Sequence, residues 1–195
     1  MRTIRSLIGL VFVASALGAA EPAQPPLKPA LLVVDVQNAY LPMMAKEGQD
    51  YAKMVINGAI GLFRERGLPV IRVYNTSPKW GPAEGSSEFD FPADIQVKPE
   101  DPKVVKHYGS AFKKTELDAL LKKLGVDTLF VTGLSATGCV LATYMGAEDL
   151  DYAVFLVKDS VMSPNAAHTA VMQEVMDAVP YGALKVMLGG IQPAK

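Results

Sequence analysis

The chain has 195 residues, half of them apolar, with 19 basic and 20 acidic residues and a formal net charge of −1. That is enough apolar material for one sizeable core, and no repeat or long low-complexity tract divides it. The basic residues form no stripe beyond pairs such as Lys113-Lys114 and Lys122-Lys123; these read as solvated helix faces, and nucleic acid is excluded as an expected partner.

Arg2 and Arg5 precede an apolar stretch from Leu7 to Ala20 that ends Gly18-Ala19-Ala20. A charged start, a short apolar middle and small residues at the end make a secretory signal over residues 1–20, cleaved near Ala20. A membrane span needs about 20 apolar residues, so this stretch is too short for a stable membrane anchor. The expectation is an exported protein, periplasmic or secreted. Export would put the one cysteine, Cys139, in an oxidising compartment without a disulfide partner, where a recessed pocket would limit its oxidation. Residues 21–29 are proline-rich and read as an extended lead-in. Residues 30–195 read as one domain.

Within that domain strand and helix patterns alternate. Ala30 to Val34 is an apolar run that reads as a strand and ends in Asp35. Tyr51 to Gly67 reads as a helix closed by Gly67-Leu68-Pro69, and Val70 to Tyr74 as a second strand. Residues 75–102 are rich in proline, glycine and serine and carry Trp80 and Phe89; so long a loop is expected to be a lid or binding loop. Val104 to Lys106 is a short strand, Thr115 to Leu124 a helix stopped by Gly125, and Thr128 to Val131 a buried strand. Leu141 to Leu150 is a helix, Tyr152 to Val157 a strand, Asn165 to Ala178 a helix and Leu184 to Leu188 a last strand. Such alternation predicts a three-layer, doubly wound α/β domain with a mostly parallel sheet.

Three of these runs end in chemistry. Asp35 closes the first strand, Lys106 closes the third, and Cys139 sits in Gly133-Leu134-Ser135-Ala136-Thr137-Gly138-Cys139-Val140, at or near the first turn of a helix. At a helix start, free N–H groups and the helix dipole favour thiolate over thiol. Each residue alone has an ordinary reading: a small buried hydrophobe, a turn-capping carboxylate, a solvated lysine. Together they place an acid, a cation and a thiol at strand ends that converge on one edge of a doubly wound sheet. There a carboxylate can take the thiol proton while the ammonium stabilises both anions.

Rival motifs are weaker. Gly133 and Gly138 have the spacing of a phosphate-binding loop, but Cys139-Val140 replace its lysine and hydroxyl residue. No glycine fingerprint for a dinucleotide follows the first strand, where Gln37-Asn38-Ala39 stands. A cysteine–histidine pair has two candidates, His107 and His168. His107 neighbours Lys106 and should face the opposite way on a strand, and His168 reads as a local helix residue.

The chain resembles the isochorismatase-like cysteine hydrolases, the group that includes nicotinamidases and N-carbamoylsarcosine amidohydrolase. The resemblance rests on Leu32-Val33-Val34-Asp35-Val36-Gln37-Asn38, on Val105-Lys106 with Ser110-Ala111-Phe112, and on Gly133 through Val140, in the family's order and spacing. It implies a catalytic triad of Asp35, Lys106 and Cys139 and a cis peptide at Leu134-Ser135. It also implies an oxyanion hole made by the backbone N–H groups of Ser135 and Cys139, and a homo-oligomer. Nicotinamidases of the family hold a metal with an aspartate and histidines after the second strand. Here Tyr74-Asn75-Thr76-Ser77-Pro78-Lys79-Trp80 stands, and no histidine precedes His107, so no metal and no other cofactor is expected.

The expected activity is an exported amidohydrolase-like enzyme that cleaves a C–N bond of a small amide or ureido compound through a Cys139 thioester. The alternatives are cleavage of an ether, as isochorismatase itself performs, and a relative that binds a small molecule without catalysis. Gln37, Tyr40, Asn75, Trp80, Tyr108, Phe112, Thr137 and Tyr144 are the candidates to line the substrate pocket. Their mixed aromatic and amide character suggests a small, polar, planar substrate.

Overall fold

The computed structural model describes residues 27–77 and 81–191. The expected signal segment, most of the lead-in and Trp80 lie outside the described residues. Six strands, β1 (Pro29–Val34), β2 (Val70–Asn75), β3 (Lys103–Lys106), β4 (Thr128–Leu134), β5 (Ala153–Met162) and β6 (Ala178–Val179), form one sheet in the order β3-β2-β1-β4-β5-β6. Every pairing is parallel. The chain winds outward from β1 to β3, then returns to place β4 on the other side of β1. Doubly wound sheets take ligands at this reversal, beyond the carboxyl ends of the two central strands.

Helices α1 (Gln49–Glu65) and α5 (Tyr181–Gly189) cover one face of the sheet, and α2 (Leu117–Leu124), α3 (Leu141–Glu148) and Met172 of α4 (Ala166–Val175) pack on the other. β1 serves both cores: Leu31 and Val33 join the first, Ala30, Leu32 and Val34 the second. A strand buried on both faces has no polar alternation, which is why its sequence is an unbroken apolar run. On α1 the buried residues Ala52, Val55, Ile56, Ala59, Ile60 and Phe63 follow helical spacing and form the stripe against the sheet.

The carboxyl-terminal part departs from expectation. Leu184 to Leu188 is not a strand but part of α5. On a strand, residues 184, 186 and 188 would share a face; instead Leu184 and Leu188 are fully buried while Val186 is 78% exposed. Period 3.6 prevails over the β-branched, apolar look of the run. The last strand is β6, whose first residue, Ala178, is the expected end of the preceding helix; that helix stops at Val175. β5 also runs farther than Val157, reaching Met162 through an irregularity in its pairing with β4.

Residues 75–102 are a packed connection as far as they are described, not a detached lid. Phe89, Phe91 and Ile95 belong to the core around α1, and Tyr74 stacks on Phe89 with ring centroids 4.8 Å apart. The segment is tied to the turn after β1, where Asn38 and Ala39 donate backbone hydrogen bonds to Asp90 and Glu88.

One glycine sets the central approach. Gly133 has φ +110°, and a Cβ there would lie 2.0 Å from the Val34 carbonyl oxygen. Only glycine lets β4 come this close to the end of β1, one residue before Asp35.

Candidate active site

Asp35 follows β1 with φ 53° and anchors itself by donating its N–H to the Val73 carbonyl. Its carboxylate is 2% exposed. Oδ2 accepts a hydrogen bond from Lys106 Nζ at 2.7 Å, while no protein group donates to the buried Oδ1 among the described residues. Lys106 ends β3, two strands away from β1, and its long side chain crosses behind the end of β2 to make this pair. It is fully buried, and its ammonium also donates to the Tyr108 carbonyl at 3.2 Å. His107 faces the other way as expected: it is exposed, with Nδ1 2.6 Å from the Thr76 carbonyl.

Cys139 lies in a π-type turn, Ala136–Val140, that leads directly into α3. The preceding Leu134-Ser135 peptide is cis. The N–H groups of Gly138 and Val140 both donate to the Ser135 carbonyl, at 2.9 and 3.1 Å, and fold the turn back around the cysteine. The loop after β3 docks on the same helix: Ala111 donates its N–H to Thr143 Oγ1 at 3.0 Å. A Cβ at Gly146 would sit 2.7 Å from Ser110 Oγ, so a glycine on α3 makes room for that loop. Ser110-Ala111-Phe112 thus joins the Lys106 strand to the cysteine helix.

The electrostatics correct the expectation of a favoured thiolate. Burial, then the negative charge of Asp35, push the Cys139 thiol up to about 11, against the smaller opposing pull of Lys106. Burial also raises Asp35 above its ordinary 3.8, partly offset by the charge and hydrogen bond of Lys106 and by the neighbouring Cys139 thiol. The sulfur therefore rests as a thiol beside a carboxyl group whose own proton affinity is raised. Desolvation and a like charge outweigh the helix start.

Asn75 completes the floor. Its Nδ2 donates to Cys139 Sγ at 3.8 Å. Gln37 holds it through two hydrogen bonds, accepting from the Asn75 N–H at 2.7 Å and donating Nε2 to its carbonyl at 3.1 Å. The Tyr40 hydroxyl donates to Asn75 Oδ1 at 3.3 Å, which turns the amide nitrogen toward the sulfur. Asp35, Cys139 and Asn75 open on a cavity of about 240 Å³, lined also by Tyr40, Met43, Met44, Leu134, Ser135 and Gly138. Drug-sized ligands take pockets of about 300–1,000 Å³, so this one suits a smaller molecule. Among the described residues no three His, Cys, Asp or Glu side chains come together to ligate a metal ion.

The family model of the Isochorismatase domain matches residues 29–183. The chain belongs to the isochorismatase family of hydrolases. YrdC of Bacillus subtilis, an uncharacterized isochorismatase family protein, is 32% identical over 136 residues, covering 68% of this chain and 73% of YrdC. The ureidoacrylate amidohydrolase RutB of Variovorax paradoxus is 27% identical over 171 residues, covering 67% of each chain. The N-carbamoylsarcosine amidase of Thermoplasma acidophilum has the same fold, with a TM-score of 0.68 and 28% identity over 79% of this chain and 95% of its own.

In this isochorismatase-family hydrolase, Asp35, Lys106 and Cys139 do come together. The pocket candidates divide. Tyr40 and Asn75 line the cavity, and Gln37 braces Asn75 from behind. Tyr108 serves through its carbonyl, its ring lying under Lys113 on the surface. Phe112 and Tyr144 pack into the core beneath α3, and Thr137 is solvent-exposed; these three are corrected to packing or surface roles, and Trp80 lies outside the described residues. Met43, Met44, Leu134 and Gly138 escaped the sequence reading. The signal for the two methionines was their place in the turn after β1, the same strand-end position that marked Gln37.

Proposed function

We propose that the protein hydrolyses the C–N bond of a small amide or ureido compound, with Cys139 as nucleophile, Asp35 as general base and acid, and Lys106 as the cation that holds Asp35. The observation that carries this reading is the buried, unpartnered Oδ1 of Asp35 beside a protonated thiol on a cavity. Oδ1 takes the thiol proton as Sγ attacks the carbonyl carbon, so an anion never has to exist on sulfur before the bond forms. The negative charge passes to the carbonyl oxygen, received by the N–H groups of Ser135 and Cys139, each worth about 3–4 kcal/mol in such roles. Asp35 then gives its proton to the departing nitrogen as the C–N bond breaks. Water attacks the thioester, passing its proton to Asp35, and the acid leaves as the thiol is restored.

Asn75 Nδ2 is a further donor to the sulfur and steadies it when the proton departs. Two relatives act on ureido compounds by name, a ureidoacrylate amidohydrolase and an N-carbamoylsarcosine amidase, which supports C–N over ether cleavage. Export rests on the residue pattern of the first twenty positions alone. The test is ammonia release from a panel of primary amides and ureido acids by wild type and Cys139→Ala. Release by wild type alone supports the thiol route, and equal release by both proteins refutes it.

A further inference from the structure

We propose that this site selects a neutral substrate whose acyl part is compact and apolar, rather than one bearing a carboxylate; the inference rests on the hydrolytic reading above. Beside Asp35, Asn75 and Cys139 the cavity is lined by the apolar side chains of Met43, Met44 and Leu134, together with Tyr40, Ser135 and Gly138. Met43 is 63% exposed at the mouth, an apolar side chain left in water where a ligand would cover it. Methionine is flexible and polarisable, which suits it to closing over apolar groups of differing shape.

Charge points the same way. Among the described lining residues, Asp35 is the one carboxyl group and none is a cation. Lys106 does not line the cavity: its ammonium is fully buried and committed to Asp35 Oδ2 and the Tyr108 carbonyl. A substrate carboxylate would therefore leave water, lie beside the Asp35 carboxyl group and gain no cation from these walls. An apolar group of the same shape loses nothing and covers Met43, Met44 and Leu134.

An isosteric pair tests this: 4-methylpentanamide against succinamate, in which a carboxylate replaces the terminal isopropyl group. Two readouts are needed, ammonia release by the full chain and calorimetric binding to Cys139→Ala. The expected result is at least tenfold higher kcat/KM and at least tenfold tighter binding for 4-methylpentanamide, with Met43→Arg shifting both ratios toward succinamate by tenfold or more. Tighter binding of 4-methylpentanamide without ammonia release would uphold the selectivity and refute the hydrolytic reading. Succinamate bound or turned over equally well or better would overturn the proposal. Failure of both amides to bind would overturn it as well.

Discussion

The floor and the rim of the cavity are built on opposite principles. The floor is a buried polar network in which Lys106, Asp35, Asn75 and Gln37 each have named partners and little or no exposure. The rim is apolar, with Met44 and Leu134 buried and Met43 exposed at the mouth. Buried charges are tolerated only when paired, so the floor has one arrangement and little freedom to vary. The rim is governed by contact area alone and can change residue by residue. The fixed floor fits a reaction mechanism, and the adjustable rim fits a choice of substrate.

The largest effect should come from breaking the floor at its cation. Lys106→Ala strands the Asp35 charge in the core, and loss of one partner of such a buried pair costs about 3–5 kcal/mol. Urea denaturation should show that loss. Because Lys106 pulls the Asp35 pKa down, any residual activity should have its acid limb moved to higher pH.

Asp35→Asn keeps the shape and removes the base. Turnover should fall by about 10²–10⁴-fold, the usual contribution of a positioned general base. Alkylation of Cys139 by iodoacetamide at pH 8 should slow with it, because the carboxylate that takes the thiol proton is gone. Faster alkylation would show that Asp35 acts on the sulfur only as a like charge that raises its pKa. In the wild type Asp35 must be ionised to accept the proton, so kcat/KM falls as pH drops through its raised pKa. The alkaline limb belongs to the thiol and lies toward its value of about 11.

A smaller effect is expected from Asn75→Ala. Loss of one hydrogen bond to sulfur corresponds to about 0.5–1.5 kcal/mol, or roughly three- to tenfold in kcat, with KM little changed. A change confined to KM would instead make Asn75 a substrate contact and shift it from the floor to the rim.

The same contrast governs what could be read from residues alone. Asp35, Lys106 and Cys139 were legible because each ends an apolar run, and a charged or reactive group in that position stands out. The alternation of strand and helix likewise carried the layered fold. Met43, Met44 and Leu134 were not legible, since an apolar residue that lines a cavity looks the same as one that fills a core. Tyr144 was misplaced for the converse reason: Val140, Tyr144 and Ala147 lie one helical stripe apart and all face the sheet, a periodicity that outweighs proximity to the cysteine. The thiol's protonation was missed because burial and the Asp35 charge arise only once distant segments meet. The carboxyl-terminal strand failed where a short apolar run fits both periods, and tertiary burial at Leu184 and Leu188 decided it.

Under the proposed mechanism Cys139 carries the acyl group during turnover. Acid quenching of the enzyme during steady-state hydrolysis of an amide it accepts, followed by peptide mass analysis, measures this directly. An acyl adduct is expected on the peptide containing Cys139, formed by wild type and absent from Cys139→Ala. Turnover with no adduct on that peptide, together with undiminished ammonia release by Cys139→Ala, would contradict it.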